Sequence, residues 1–403
     1  MLFGLDITSG LRRAARAGRD AIVADALAVS RVPAPTGAEA RRARAVRDLF
    51  RRDDPGRLVY LDQAGNVVTR IAGRQRERSI IVAAHLDTVF GEDQEHDTRL
   101  EHGRLIGPGV GDNAVALAAM VALPRLFVSS GQTPACDVVL VATVGEEGYG
   151  NLRGIEAALD MHREAAAVIA VEGHGLGRIT HVAVGSRRLA VHLVGPGGHS
   201  WADHGRPSAV HAAGELIARL AAMQLPDWPR TTLNVGSVSG GDAINAIAAS
   251  ATLHLEARSV DPLALDQAID EVFRHIRAVE RDGIRVTVET LGTRPAGSIP
   301  KDHLIVRRAR SVLSGLGVPS ASDASSTDAN IPLASGIPAI CVGISNGGQA
   351  HTPHEWIEVE PIADGVAQLA LVVRDVAEDV ASGRIRRAGW MGDGERPTAA
   401  ASD

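Results

Sequence analysis

The sequence predicts an α/β fold, in which a smaller antiparallel α+β unit is inserted into a mostly parallel, helix-covered sheet. Three observations support this prediction. Several runs are continuously apolar, as strands buried on both faces of a parallel sheet are, among them SIIVAAH, VVLVATV, AAAVIAV and IPAICVGI. Segments with helical apolar spacing alternate with these runs. Between about residues 182 and 294 the pattern changes, and shorter segments alternate apolar with polar residues.

The elements before residue 182 follow one another in a simple order. Two helices are predicted around the PAPTG turn within residues 19–52, and residues 59–72 predict a hairpin with a Gly-Asn turn. Strands and helices then alternate, as the crossover connections of a parallel sheet require. In chain order these are a strand at 79–85, a helix at 114–127, a strand at 138–144, a helix at 155–162 and a strand at 165–171.

The inserted unit has the order ββαββαβ in outline, which predicts antiparallel strands with helices on one face. The segment at its start, residues 181–195, predicts a hairpin. Parallel character returns after about residue 295, with a helix at 303–317 and a strand at 338–344. We therefore divide the chain into a larger domain (1–181 and 295–384), an inserted domain (182–294) and a tail (385–403). The tail loses periodicity and gains Gly, Pro and Ser, so we expect it to be flexible.

The composition excludes several classes of function. A net charge of −6 and a pI near 6.2 offer no basic surface, so we expect no nucleic-acid partner. We find no uncharged stretch of about 18 apolar residues, so we expect no membrane-spanning helix and no membrane partner. The first residues have no apolar segment ahead of their charges and do not predict a secretory signal. Cys136 and Cys341 fall in or beside buried strands, which indicates reduced core thiols and a cytoplasmic protein.

Side chains that bind metal ions lie at the ends of the apolar runs or in the loops between them. Ligands of parallel α/β sheets bind beyond the carboxyl ends of the strands, so we expect these side chains to converge. Two histidines and several carboxylates would repel one another without a positive charge between them. Their number suits two divalent ions that share one carboxylate. The residues are His85, Asp87, Asp112, Glu146, Glu147, Glu172 and His351.

Adjacent residues in this set suggest different tasks. His85 and Asp87 are two positions apart on a strand and share a face, so we expect Asp87 to hold His85 in one tautomer. Glu146 and Glu147 cannot both face one ion easily. One of them is therefore expected to bind metal while the other acts as a base toward water.

Several of these residues also have other interpretations. Asp112 precedes a helix, where Asp is a common N-cap. A Glu-Glu pair before Gly is commonly a solvated turn. His174 competes with Glu172 as a ligand, and His354 competes with His351. The sequence alone leaves these alternatives open.

Taken together, the motifs resemble the M20 family of metallopeptidases and amidohydrolases, and the resemblance runs from about residue 20 to 380. It implies a hydrolase that holds two divalent metal ions. Zinc is the expected metal, and cobalt or manganese are able to replace it. The implied roles are His85 and Glu172 on one ion, Glu147 and His351 on the other, Asp112 as the bridge, Glu146 as the general base and Asp87 as the residue that orients His85.

The inserted domain resembles the ferredoxin-like lid of the same family, which commonly also forms a dimer. The resemblance implies that His199 of GPGGHS stabilises the oxyanion, often in the partner's active site, and that Asn245 and Arg258 contact substrate. Many relatives have a Lys and a pair of Gly after the bridging Asp, whereas residues 113–115 here are Asn-Ala-Val, which leaves the subfamily open. Asp328 in SSTDAN is expected near the site but not as a ligand.

The predicted reaction is hydrolysis of an amide bond in a small N-acyl amino acid or short peptide, of the deacylase or carboxypeptidase type. Glu172 favours this choice, because the family's aminopeptidases tend to carry Asp at that position. An aminopeptidase or dipeptidase is the alternative, because SSTDAN and HTPHEWIEVE resemble the tripeptide aminopeptidases. A hydrolase of an unusual aromatic amide or amine, and a binding protein without catalysis, are further alternatives. We expect a cytoplasmic homodimer.

Overall fold

A computed structural model describes residues 2–281 and 283–387 of the chain. Its helices lie mainly in the parts of the chain that flank the inserted unit. They are α1 (Leu2–Ser30), α2 (Ala40–Arg52), α3 (Val115–Ser129), α4 (Arg153–Met161), α5 (Ala209–Ala221), α6 (Pro262–Val279), α7 (Leu304–Leu316), α8 (Asn330–Ala334) and α9 (Ile362–Ala381).

The strands form four sheets, one of nine strands, two of four strands and one of two strands. In chain order they are β1 (Tyr60–Leu61), β2 (Val67–Ile71), β3 (Gln75–His85), β4 (Arg99–Glu101), β5 (Arg104–Ile106), β6 (Cys136–Thr143), β7 (Ala165–His174), β8 (Arg178–Ala183), β9 (Gly185–Val194), β10 (Gly198–His199), β11 (Thr231–Gly240), β12 (Ala246–Ile247), β13 (Ser250–Ser259), β14 (Arg285–Arg294), β15 (Gly297–Ser298), β16 (Ala321–Ser325), β17 (Ala339–Ser345), β18 (Gly347–Gly348) and β19 (Trp356–Glu358).

The large sheet has the order β1-β2-β6-β3-β7-β17-β8-β15, and β16 pairs with β8. Its centre, β6-β3-β7-β17, is parallel. Alternate side chains of β3 face opposite layers, because successive residues of a strand point to opposite faces. Ile80 and Val82 pack in the core that contains α1, α3, α7 and α9, and Ile81 packs in the core that contains α4. Burial on both faces explains why these strands are continuously apolar.

Among the described residues, one helical segment, Val110–Ser129, is long and apolar enough to cross a membrane. Within the protein, 89% of the 18-residue stretch that meets this criterion is buried. The segment includes α3, which packs against α1, α9 and the central strands. Its apolar character is therefore that of a core helix.

The inserted unit, residues 185–294, forms a separate antiparallel sheet with the order β11-β13-β9-β14. Helices α5 and α6 both pack against β13 and β9, and their apolar faces share one core with these strands. This is the predicted α+β unit. The large sheet is mixed, with a parallel centre and antiparallel strands toward its edges, and the two sheets together confirm the predicted α/β fold class.

The hairpin predicted for residues 181–195 is wrong. Residues 178–183 form β8, which pairs with β17, β16 and β15 in the large sheet, whereas β9 begins at Gly185 in the small sheet. The chain thus leaves one sheet and enters the other at Val184. Apolar spacing predicts that both segments are strands, but the partner of each strand depends on contacts distant in sequence.

The C-terminal part differs from expectation in a second way. Helix α9, which the sequence analysis did not identify, packs on β17 and β3. Ile385, the first residue of the predicted tail, is only 1% exposed, and its N–H donates to Asp379 O at 3.0 Å. This contact places the start of the predicted tail in the core. Residues 388–403 of the predicted tail lie outside the described residues.

Candidate metal centre

The predicted ligands meet at the carboxyl edge of the central strands. His85 is the last residue of β3, and Glu172 lies near the end of β7. Glu147 is in the loop after β6, and His351 is in the turn between β18 and β19. Pairing of β5 with β19 brings this turn to the Gly-rich segment that carries Asp112. All five side chains line one cavity of about 360 Å³.

Asp112 lies between the two histidines, and its oxygens face opposite ways. Its Oδ1 is 2.9 Å from His85 Nε2, which is 3.6 Å from Glu172 Oε2. Its Oδ2 is 3.0 Å from His351 Nε2, which is 3.3 Å from Glu147 Oε1. The potential ligand atoms within each of these triads lie within 4.8 Å of one another. The two triads share one carboxylate, which is the arrangement that a pair of metal ions requires.

The donor atoms around His85 fit a cation. Its Nδ1 is 3.0 Å from the backbone oxygen of Asp87, and a carbonyl can only accept, so Nδ1 carries the proton. In the neutral ring Nε2 then presents a lone pair to the carboxylates of Asp112 and Glu172. Asp112 Oδ1 is buried and accepts no hydrogen bond. A divalent ion would bind these lone pairs together, and the second nitrogen of His85 is already held as a metal-binding His requires.

The electrostatics of the site favour positive charge. Hydrogen bonds to Asp112 and Glu147 raise the pKa of His351 to about 10. Burial lowers the pKa of His85, but Glu172, Asp112 and Asp87 outweigh it and raise that pKa well above its usual value. Burial raises the pKa of Glu172 to about 7, against the opposing effect of His85. Carboxylates crowded in a buried site thus leave a negative field that a cation would neutralise.

Glu355 holds the Asp112 segment in place, and the sequence analysis did not identify it. Its Oε2 accepts the N–H of Gly109 and its Oε1 accepts the N–H of Asp112, both at 2.8 Å. His174 Nε2 is 2.7 Å from Glu355 Oε1, so His174 supports this segment and belongs to neither triad. Gly111 is required here, because a Cβ would lie 2.2 Å from His174 Nε2. The position of Glu355 at the end of HTPHE, beside the rival ligand His354, was the available sequence signal.

His354 is exposed and is in none of the described groups that could hold a metal. The Nε2 of His351, by contrast, faces Asp112 and Glu147. Asp112 itself lies in a π-type turn, Val110–Ala114, that precedes α3, and its side chain faces both histidines instead of capping the helix. The geometry therefore favours the ligand interpretation of both residues over the alternatives.

Asp87 acts on a different partner from the one expected. The backbone oxygen of Asp87, not its carboxylate, binds His85 Nδ1, since the carboxylate Oδ1 is 3.7 Å away. The carboxylate accepts the N–H groups of Glu146 at 3.0 Å and Glu147 at 2.8 Å, and the hydroxyl of Thr36 at 2.9 Å. Burial alone would raise the pKa of Asp87, but the nearby His85 ring and these N–H groups outweigh it and lower that pKa. Asp87 thus shapes the Glu146–Glu147 turn.

Glu146 is buried beside Glu147, and its carboxylate is bound by an arginine that the sequence analysis missed. Arg294 Nη1 donates to Glu146 Oε1 at 3.0 Å, and Arg294 Nη2 donates to the backbone oxygen of Glu146. Burial raises the pKa of Glu146 well above its usual range, although the positive charge of Arg294 opposes this. Arg294 lies 148 positions from Glu146, so no local pattern pointed to it.

Of the residues implied by the lid resemblance, Arg258 lines the cavity, and Arg188 lies beside it there. Both arginines donate to Glu256 Oε2, Arg258 from Nη2 at 3.2 Å and Arg188 from Nε at 2.6 Å. His199 is exposed on the two-stranded sheet β10-β12, and Ser200 N–H donates to the backbone oxygen of Asn245 at 3.0 Å. Neither His199 nor Asn245 is among the described residues that line the cavity of this chain.

Asp328 is 3% exposed, and its Oδ2 accepts the hydroxyl of Thr143 at 2.6 Å. In the large sheet Thr143 pairs with His85, the last residue of β3. Asp328 belongs to neither triad. It therefore contacts the strand next to the one that ends in His85 and is not itself a candidate ligand.

Comparison with known proteins agrees with this geometry. The sequence profile of Peptidase family M20/M25/M40 matches residues 81–375. The chain is 28% identical over 348 residues to succinyl-diaminopimelate desuccinylase from Corynebacterium glutamicum, covering 84% of this chain and 92% of the relative. It is 26% identical to acetylornithine deacetylase from Klebsiella pneumoniae over 72% of this chain and 79% of the relative.

Solved structures share the fold. A tripeptidase from Staphylococcus aureus superposes with a TM-score of 0.76 at 22% identity, over 89% of this chain and 99% of the other. The YXEP protein of Bacillus subtilis, described as a dinuclear metal binding peptidase of the M20 family, superposes with a TM-score of 0.67 at 15% identity, over 90% of this chain and 99% of the other. The family profile matches most of the chain, and the structure brings together two triads of side chains that could hold metal. The chain belongs to Peptidase family M20/M25/M40 and is a metal-dependent hydrolase.

Proposed function

We propose that this protein hydrolyses an amide bond in a small N-acyl amino acid or short peptide, using two divalent metal ions. The observation that carries this proposal is Asp112, whose two carboxylate oxygens face His85 and His351 respectively. His85, Asp112 and Glu172 would hold one ion, and Asp112, Glu147 and His351 would hold the other. Histidine and carboxylate ligands favour zinc, and cobalt or manganese would also bind them.

Bound divalent ions would supply Lewis acidity toward the amide carbonyl and would lower the pKa of water. Residues of the chain itself transfer the protons. Glu146 is the general base: its carboxylate takes a proton from the attacking water and passes it to the leaving nitrogen. Asp87 keeps Glu146 and Glu147 on one tight turn through their N–H groups, so that one carboxylate binds metal while its neighbour serves as the base.

Two arginines on the wall of the cavity support a substrate with a carboxylate. Arg188 and Arg258 share the single counter-ion Glu256, which leaves one positive charge in excess. An arginine fork matches a carboxylate in geometry and charge. The sequence relatives that remove succinyl and acetyl groups favour an N-acyl amino acid. An aminopeptidase or dipeptidase is the second candidate, because SSTDAN and HTPHEWIEVE resemble the tripeptide aminopeptidases.

We also propose that the inserted unit, residues 185–294, acts as a lid and dimerisation domain over a catalytic domain formed by the parts of the chain that flank it. In a homodimer, exposed His199 would reach the active site of the partner and stabilise the oxyanion, and Asn245 would contact substrate beside Arg258. The buried free thiols of Cys136 and Cys341 support a reducing, cytoplasmic location.

The test combines metal analysis with one substitution. We expect about two ions per chain and loss of activity on treatment with a chelator. Glu146→Gln is expected to lower kcat by about 100-fold or more while the metal content stays unchanged, because it removes the base and no ligand. Glu378→Gln, at an exposed surface glutamate, is the matched control. Unchanged turnover in Glu146→Gln would remove Glu146 from the mechanism.

Substrate class is decided by a panel of N-acetyl and N-succinyl amino acids tested against dipeptides and tripeptides with free amines. The proposal predicts faster turnover of the blocked substrates. If only the free-amine peptides are cleaved, the aminopeptidase candidate is the correct one.

A further inference from the structure

The loop that carries Glu146 and Glu147 is held by the inserted unit as well as by Asp87. We call the two strand ends nearest this loop, residues 185–188 of β9 and 292–294 of β14, the root of the unit. The side chain of Arg188 donates to Gly148 O, and the N–H of Thr293 donates to Asn151 Oδ1 at 3.1 Å. The loop therefore has the sheet on one side and the root on the other.

Arg294 makes the most direct of these contacts. Its side chain is 5% exposed. Nη1 donates to Glu146 Oε1 at 3.0 Å and to Ser326 Oγ at 3.1 Å, and Nη2 donates to the backbone oxygen of Glu146. One planar guanidinium thus binds both the side chain and the backbone of the same residue. Such a fork fixes the direction of the carboxylate as well as its position.

The anchoring of Arg294 links this contact to the whole inserted unit. Arg294 is the last residue of β14 and pairs with Ser186 at the start of β9. The chain crosses between the two sheets beside these residues, and buried Asn330 donates to both crossings, at Val184 O (2.8 Å) and Pro295 O (2.9 Å). A movement of the unit about its root would therefore move the guanidinium that binds Glu146.

We propose that Arg294 is a positioning residue for hydrolysis, which acts by holding the Glu146 carboxylate in the direction that proton transfer requires. This inference rests on the proposed role of Glu146 as the base. A lysine at position 294 would keep the charge but would offer a point donor instead of a fork, so it would restore only part of the function.

The experiment compares Arg294→Gln, Arg294→Lys, Glu146→Gln and the double variant Arg294→Gln/Glu146→Gln, with kcat, KM, metal content and the thermal midpoint measured for each. We expect Arg294→Gln to lower kcat by about 100-fold, the scale of a misplaced catalytic group, with KM and metal content nearly unchanged. Arg294→Lys should recover part of this loss. Because Arg294 acts through Glu146, the double variant should have the same kcat as Glu146→Gln alone.

The control is Arg187→Gln, which removes an arginine of the neighbouring strand β9 that faces Asp266 at 3.5 Å instead of the loop. If Arg294→Gln does not fold, Arg294→Lys with and without Glu146→Gln makes the same comparison. The inference is overturned if Glu146→Gln is impaired while Arg294→Gln turns over normally, if the two losses multiply in the double variant, or if activity falls only in proportion to bound metal. Normal turnover in Glu146→Gln would instead overturn the proposed base, and this inference with it.

Discussion

At the scale of single residues, two buried carboxylates organise the site by accepting backbone N–H groups. Asp87 accepts the N–H groups of Glu146 and Glu147, and Glu355 accepts those of Gly109 and Asp112. Each carboxylate accepts its two N–H groups on two different oxygens. An amide replaces one of these oxygens with an NH₂ group, which donates and cannot accept. A donor left unpaired in a buried site costs about 1–3 kcal/mol. The loops that carry the candidate ligands thus depend on Asp87 and Glu355, which belong to neither triad.

Glu355→Gln is therefore expected to weaken metal binding without removing a ligand. The new NH₂ group faces the N–H of Gly109 or of Asp112, and the segment that carries Asp112 loses one of its anchors. We expect a loss of about 10- to 100-fold in metal affinity, the usual effect of removing such a support, measured by competition with a chromogenic chelator. Glu378→Gln, at an exposed position of α9, is the control, and equal affinity in the two variants would contradict this role of Glu355.

At the scale of elements, α9 lies so close to β17 that one position admits only glycine. A Cβ on Gly365 would lie 1.8 Å from the backbone oxygen of Ile344. Gly315, within α7, has nothing within 4 Å of the same position and is exposed. The two glycines share a helical backbone and differ only in what surrounds them.

Alanine at these two positions is expected to change stability in opposite directions. Gly365→Ala should lower the free energy of unfolding by about 2 kcal/mol or more, because helix and strand must separate. Gly315→Ala should raise it by about 0.5–1 kcal/mol, because alanine restricts the unfolded chain more than glycine does. Urea denaturation of the two variants measures these changes in the free energy of unfolding. A change of the same sign in both variants would show that the close approach of Gly365 to Ile344 does not exclude a Cβ.

Helix α9 is also tied to α7 through Asp379, whose side chain is fully buried between two arginines. Arg308 Nε is 2.6 Å from Asp379 Oδ2, and Arg384 Nε is 2.7 Å from Oδ1. Burial alone would raise the pKa of Asp379, but these bonds outweigh it and lower that pKa. Because the folded-state pKa lies below the unfolded-state value, the stabilisation is present at neutral pH and is lost as the pH falls through the folded-state pKa.

Asp379→Asn should accordingly be destabilising at pH 7, by about 2 kcal/mol, as expected for lost hydrogen bonds to charged groups. The difference from the unsubstituted protein should shrink as the pH falls below about 4, where the unfolded-state carboxylate takes up its proton. Urea midpoints measured from pH 7 to pH 3 test this, with Asp20→Asn, at a 90% exposed side chain, as the control. A difference that does not change with pH would show that packing, not charge, is responsible.

At the scale of the whole molecule, the relation between the two sheets depends on two chain crossings held by one side chain. Asn330 donates to Val184 O and to Pro295 O, and its Oδ1 accepts the N–H of Thr327 at 2.9 Å. All of these groups lie beside the root of the inserted unit. The same region contains Arg294. The contacts that attach the inserted unit to the large sheet therefore lie beside the contact that positions the Glu146 carboxylate.

Asn330→Asp is expected to loosen this attachment. It places a carboxylate against two carbonyl oxygens that then lack a donor, which should cost about 3 kcal/mol or more. We expect a lower urea midpoint and new proteolytic cleavage near residues 184 and 295, mapped by mass spectrometry. Asn234→Asp on the exposed edge strand β11 is the control. Resistance to cleavage equal to that of the control would show that other contacts hold the crossings.

The candidate ligands could be predicted because parallel strands are buried on both faces and end at one edge of the sheet. A strand buried on both faces is visible in one dimension as an apolar run, and its carboxyl end is where a loop must leave the sheet. His85 and Glu172 were predictable for this reason. Arg294 and Asn330 were not, because each acts on a group more than 30 positions away and no local pattern marks such contacts. Glu355 acts on Asp112, 243 positions away, and its place beside His354 was the available signal.

The order of residues along the chain determined the central strands of the two sheets and most of the helices that cover them. It also determined the class of side chain at each strand end and the family to which the protein belongs, because periodicity and composition are local properties. The tertiary structure decided which strand pairs with which, as the misassigned hairpin at residues 181–195 shows. It also decided that Asp87 acts on the Glu146–Glu147 turn and that Arg294 reaches the proposed base. These are contacts between distant segments, and their formation depends on how the packed layers bring backbone donors and charged groups within hydrogen-bonding distance.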